Sequence, residues 1–202
     1  MKLFRSLNSY HGFTLVELLV VLTISTILLS VAAPFFGTFA REGEANANFN
    51  QIFRSIQLAR STAINEGTFV SVCPTNDNLA NNAVNSINCS ASGTFFVAFR
   101  DLDQNGVLDT NDANPFNLGV IQFSSLGGTG TSRTTNDPNN PAIIFQPDGN
   151  TFNGVNAGTI YYCAAHLELD QQIRQSAVIS TTGRARTGDW SNDAFDGDPC
   201  AA

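Results

Sequence analysis

Hydrophobic and polar positions divide this chain into three stretches with different periods. Residues 18–40 run for 23 positions without a charge, reading LLVVLTISTILLSVAAPFFGTFA. At about 1.5 Å rise per residue this run extends roughly 35 Å as a helix, enough to cross a hydrocarbon core of about 30 Å. Pro34 and Gly37 within it should kink or loosen such a helix. Further on, Phe49, Ile52, Phe53, Ile56, Ala59 and Ala63 recur at helical spacing. This stripe predicts an amphipathic continuation that packs on a sheet and ends at Gly67, a residue suited to the C-cap. From residue 68 the period changes to short β-rich runs at 68–73, 94–99, 118–123, 142–146, 158–163 and 176–182, separated by Asn, Gly, Asp and Pro clusters. That is the pattern of antiparallel strands. Residues 127–141, GGTGTSRTTNDPNNP, read as a long polar loop.

The chain has 202 residues, of which 43% are hydrophobic and 13% charged. That supports one domain plus an appendage and excludes a wholly disordered polymer. With 10 basic against 17 acidic side chains and a net charge of −7, nucleic-acid binding through a broadly basic surface is excluded. Lys2 and Arg5 precede the apolar run, whereas Arg41, Glu42 and Glu44 follow it. This asymmetry keeps the short N-terminus cytoplasmic and exports the rest. Cys73, Cys89, Cys163 and Cys200 all lie on the exported side, and no two form a CxxC pair. Disulfides in an oxidising compartment are therefore favoured over a metal or redox site, with three connectivities open to four cysteines.

An ordinary secretory signal, cleaved near Ser30-Val31-Ala32, would also place positive charge before an apolar core. Glu17 argues against it. An ionised carboxylate in lipid costs roughly 2.5–3.5 kcal/mol near the bilayer centre, so it calls for a partner that a cleavable signal has no use for.

The segment Gly12-Phe13-Thr14-Leu15-Val16-Glu17-Leu18, followed by an apolar helix containing Pro34, resembles the leader of type IV pilins and type II secretion pseudopilins. The resemblance implies that a prepilin peptidase cuts between Gly12 and Phe13 and methylates the new amine. Glu17 would then face the cationic N-terminus of a neighbouring subunit and act as a register device in assembly. Loss of Lys2 and Arg5 would leave 8 basic and 17 acidic residues. Internal segments sharpen the likeness: Ala59, Arg60, Ala63 and Ile64; Cys73 and Cys89; Phe145-Gln146-Pro147-Asp148-Gly149; and Gly183-Arg184-Ala185-Arg186 before Cys200. Together they resemble the GspH/FimT branch of minor pilins and pseudopilins.

That branch implies an α+β, type IV pilin-like fold: a long N-terminal helix, transmembrane and then amphipathic, packed on an antiparallel sheet domain with disulfides. The expected divisions are 1–12 as leader, 13–40 as transmembrane and assembly helix, 41–67 as amphipathic continuation, and 68–202 as periplasmic β-rich domain. The resemblance also implies pairing of Cys73 with Cys89 and of Cys163 with Cys200. It implies a minor pilin near the tip of a type IV pilus, in the bacterial inner membrane until assembly, whose partners are other pilins and the prepilin peptidase. The alternatives are pseudopilin H of a type II secretion system and a membrane-anchored periplasmic domain outside any filament. Two disulfides and the GRxR ending lean toward the pilus by family analogy.

Two constellations carry sharper chemistry. Arg184 and Arg186 match the GRxR segment through which FimT-type relatives bind DNA, and arginine's planar fork suits phosphate. Residues 183–202, however, hold these two arginines against Asp189, Asp193, Asp196 and Asp198, and two phosphate contacts give weak affinity at physiological salt. The second constellation is the run from Asp101 to Asp112. Asp101, Asp103, Asn105, Asp109 and Asp112 stand at calcium-loop spacing around Gly106, although strands rather than helices flank it and Asp in place of Glu ends it. No other cofactor and no small-molecule substrate is implied. An enzyme is not expected: His166 is the one histidine outside the leader, and no metalloprotease, nucleophile-elbow or P-loop motif occurs.

Overall fold

The computed structural model describes residues 13–78, 87–109, 112, 120–126, 131–134, 141–152, 158–165, 172–188 and 200. The chain divides into two compact units, Met1–Ala40 and Arg41–Ala202. Helix α1, Leu15–Glu66, is 52 residues long and runs unbroken through Pro34 and Gly37. Its apolar stretch Leu15–Ala32 is long enough to cross a membrane, and none of it is buried. The hydroxyls of Thr23, Thr26 and Ser30 donate to the carbonyls of Val20, Thr23 and Ile27 at 2.7–2.8 Å. These polar groups are thereby satisfied inside the helix, as a lipid environment requires.

In the second unit α1 buries the predicted stripe. Phe49, Ile52, Ile56, Ala59 and Ala63 lie in the main core, joined by Ala45, and Phe53 packs against it partly buried. The helix stops at Gly67, whose φ of 63° suits a residue without Cβ. The Thr68 N–H donates to the Ala63 carbonyl at 3.2 Å, the bond that closes a Schellman C-cap.

Eleven strands follow among the described residues: β1 Val70–Thr75, β2 Ile87–Asn88, β3 Ser92–Gly93, β4 Phe95–Arg100, β5 Val107–Leu108, β6 Val120–Ser125, β7 Thr131–Thr134, β8 Ile143–Phe145, β9 Gly158–Ala165, β10 Gln172–Ile179 and β11 Ala185–Gly188. One sheet has the order β6-β4-β1-β8, a second β11-β10-β9-β7-β3, and β2 pairs with β5. All their pairings are antiparallel.

Alternation along the strands explains the layers. Val70 and Val72 of β1, Phe96 and Ala98 of β4, and Ile143 and Phe145 of β8 join the helix core, as do Ile160 and Tyr162 of β9 and Ala177 and Ile179 of β10. Residues one place along, Cys73, Val97, Phe99 and Ile144, enter a second core closed by Ile87 and Leu108 of the small β2-β5 ribbon. The first sheet is thus covered on both faces, which accounts for the fully buried pattern of β1. Inside the main core, the Asn48 side-chain amide donates to the Tyr162 hydroxyl at 3.1 Å.

Two sequence expectations are corrected. The stretch 127–141 is not one loop, since Thr131–Thr134 forms β7 inside the second sheet, pairing with β3 and β9. The segment 176–182 does not end in a strand at 182: β10 begins earlier, at Gln172, and stops at Ile179.

Candidate functional site

At the start of α1 the Glu17 backbone N–H donates to the Thr14 hydroxyl at 3.2 Å, and the Leu18 N–H to the Thr14 carbonyl at 3.2 Å. Thr14 is the N-cap, and Glu17 stands at the third helical position, where a carboxylate also favours the helix dipole. Thr14 was legible from the Thr-x-x-Glu spacing but carried no role in the sequence reading. Glu17 is exposed, and among the described residues no cation pairs with it. Gly12 and the leader lie outside the described residues, while Phe13 immediately precedes the cap and is exposed. Pro34 lies within the helical backbone of α1.

Three of the four internal segments quoted for the family, those at 59–64, 145–149 and 183–186, meet at one point. The turn after β8 places Gly149 at φ 80°, its N–H donating to the Gln146 carbonyl at 2.8 Å. The β10-β11 turn places Gly183 at φ 70°, its N–H donating to the Ser180 carbonyl at 2.8 Å. Arg60 reaches both from α1. Its Nε donates to the Gly149 carbonyl at 2.9 Å and its Nη2 to the Thr182 carbonyl at 3.4 Å. A Cβ on Gly183 would lie 1.9 Å from the Gly149 carbonyl oxygen, so only glycine permits this backbone contact.

Beside the clamp, a cleft of about 370 Å³ opens between helix residues Ile56 to Ile64 and the segment from Gly183 to Ala185. Arg60, Arg184, Gln57 and Ser61 supply its polar lining. Ala185 packs against the main core, and exposed Arg186 stands opposite Val178 in β10. Of the two arginines singled out in the sequence, Arg184 lines the cleft and Arg186 does not. Asp189, Asp193, Asp196 and Asp198, considered as their partners, lie outside the described residues, as does His166.

The acidic loop brings Asp101, Asp103 and Asp112 together, with one carboxylate oxygen of each within 4.8 Å of the others. Asp101 is fully buried. Its Oδ1 accepts from the Asn105 N–H at 3.0 Å, and its Oδ2 accepts from the Gly106 N–H at 3.0 Å and from the Ser71 hydroxyl. Asp112 accepts from the Leu102 N–H at 2.6 Å and the Asp109 N–H at 3.2 Å. The Asn105 side-chain amide donates to Asp103 at 2.9 Å. Burial pushes the Asp101 carboxyl up to about 6 despite the Ser71 and Gly106 bonds, and burial likewise raises Asp112. Of the five residues at calcium spacing, the Asp101, Asp103 and Asp112 carboxylates converge, Asn105 is bonded to Asp103 through its amide, and Asp109 meets Asp112 through its backbone N–H. A calcium ion takes 6–8 oxygens at about 2.3–2.6 Å, and the Asp101, Asp103 and Asp112 carboxylates would supply it through the lone pairs left beside their hydrogen bonds.

Cys73 is bonded to Cys89 and Cys163 to Cys200, with Cα atoms 5.5 and 5.7 Å apart. The first bridge lies in the core beneath the β2-β5 ribbon. The second ties the C-terminal end of the chain to β9, beside Tyr161.

Residues 48–183 match the family described as Type II transport protein GspH. The chain belongs to the GspH family. Residues 7–33 of this GspH-family chain also match the prokaryotic N-terminal methylation motif. Together the two matches make the chain a member of the type IV pilin and pseudopilin group. Similar solved structures are two crystal forms of the type IV minor pilin FimU of Pseudomonas aeruginosa. One has 15% identity and a TM-score of 0.49, covering 76% of this chain and 95% of that one. The other has 13% identity and a TM-score of 0.43, covering 75% and 94%. No curated protein sequence matches the chain significantly.

Proposed function

We propose that this GspH-family chain is a minor subunit of a type IV pilus. A prepilin peptidase cuts it between Gly12 and Phe13, residues 13–40 hold it in the bacterial inner membrane, and residues 41–202 stand in the periplasm. It then enters the filament near the tip with other minor pilins. It acts as a structural subunit and carries no catalytic role. The observation that carries this reading is the start of α1: an exposed apolar helix, capped by Thr14, with the Glu17 carboxylate in its first turn and no cation paired with it among the described residues. Such a carboxylate is neutralised in lipid by the N-methylated amine of an adjacent subunit. Mass spectrometry of the mature chain tests it. An N-terminal methylphenylalanine at position 13 supports the reading, and an N-terminus at Met1 or near Ala33 rejects it in favour of a membrane-anchored domain outside any filament.

The description of the matched family favours a second reading, a pseudopilus of type II secretion. Deleting the gene and assaying secretion, twitching and transformation in parallel separates the two. Capture of DNA by the filament draws support from the exposure of Arg184 and Arg186. With about two phosphate contacts per subunit it would rely on several copies for avidity.

A further inference from the structure

The Arg60–Arg184 cleft lies outside the assembly chemistry of Glu17. We propose that it receives a carboxylate, an acidic side chain or chain terminus, of a neighbouring filament subunit; this rests on the filament reading above. Two guanidinium groups line one cleft, and no acidic residue is among its lining residues. This happens in a chain whose processed form would hold 8 basic against 17 acidic residues. Arg60 is held by two backbone carbonyls, which fix its direction but supply no counter-charge. The second terminal nitrogen of its guanidinium carries no hydrogen bond among the described residues, and neither does the side chain of exposed Arg184. A carboxylate bridging the two would gain charge-assisted bonds to groups already held in place.

The surroundings select the class of partner. Beside Arg60 the cleft is lined by Ile64, an apolar side chain 45% exposed, and by the half-buried Ala185. Apolar side chains flanking a cationic centre match a protein surface with an anionic anchor. A nucleic-acid backbone is instead met by a run of cations. Residues 189–199 lie outside the described residues; their flanks are fixed at Gly188, opposite Ser176, and at Cys200, bonded to Cys163 opposite Arg174, whereas the cleft lies at the Ile179 end of β10.

The test uses the full chain in filaments of its native host, with photoreactive p-benzoylphenylalanine in place of Ser61 at the cleft rim. Irradiation should give an adduct with another pilin-type subunit, mapped by mass spectrometry to within a few residues of an Asp, a Glu or a C-terminus. Arg184→Glu should lower its yield roughly tenfold, the loss of one charge-assisted bond, and replacing the mapped acidic residue by Arg should restore it. Arg184 is exposed and its side chain makes no hydrogen bond or ion pair among the described residues, so this variant tests docking rather than folding; intact disulfides confirm that. No protein adduct, an adduct far from any carboxylate, a yield indifferent to Arg184→Glu, or an adduct with nucleic acid or with residues 189–199 would overturn the proposal. Methylation of Phe13 in the same sample tells its failure from failure of the filament reading.

Discussion

Asp101 is a fully buried carboxylate that accepts from Ser71, Asn105 and Gly106. Since burial raises its pKa to about 6, the folded chain binds a proton that the unfolded chain has already released between about pH 4 and 6. Stability from this group is therefore present below pH 4 and lost as pH rises through 6, by on the order of 1–3 kcal/mol. Denaturant melts of the chain in detergent should show that fall, and Asp101→Asn should flatten it. Because the N–H donors already close the loop, millimolar calcium should leave the melting temperature at pH 7 unchanged; a rise would mean that the three carboxylates hold the ion. Gly183 is constrained twice, by φ 70° and by the Gly149 carbonyl. Gly183→Ala should cost about 3 kcal/mol or more, and circular dichroism melts would measure it. The aspartate spacing was legible in the sequence. The burial of Asp101 was not, because it depends on Ser71, which lies 30 residues away.

The packed half of α1 was readable because six apolar residues at helical spacing have one physical solution, burial against a sheet. Ile52 and Ile56 have no exposure, and Ile52→Ala should cost about 2–5 kcal/mol through lost contacts and the cavity left behind, as read from urea titration. The strands rich in Val, Ile and Phe were readable for the same reason, with edges displaced by one to four residues. Strands β2, β3 and β5 are two residues long, too short for alternation to register. In β7 the sequence Thr-Ser-Arg-Thr carries no apolar face, so its pairing with β9 is fixed by neighbours and not by its own pattern. The disulfide pairing followed from family likeness; the geometry adds that Cys73–Cys89 closes the second core. Cys73→Ala with Cys89→Ala should lower stability by about 2–4 kcal/mol, which calorimetry can follow.

At the scale of the whole chain, the filament reading proposed above makes Glu17 the residue on which membrane residence and assembly diverge. Glu17→Ala should insert as well as the parent or better, since it removes a charge from lipid. It should still enter filaments roughly tenfold less often, by immunoblot of sheared fibres against membranes. The expectation arose because a charge inside an apolar run is conspicuous in one dimension. The clamp of Arg60 was not legible, since its two acceptors lie 89 and 122 residues away. One consequence reaches beyond a single molecule. Among descendants of the same ancestral gene, the arginine at 60 and the glycines at 149 and 183 should be inherited as a set, so that lineages losing one have drifted at the other two.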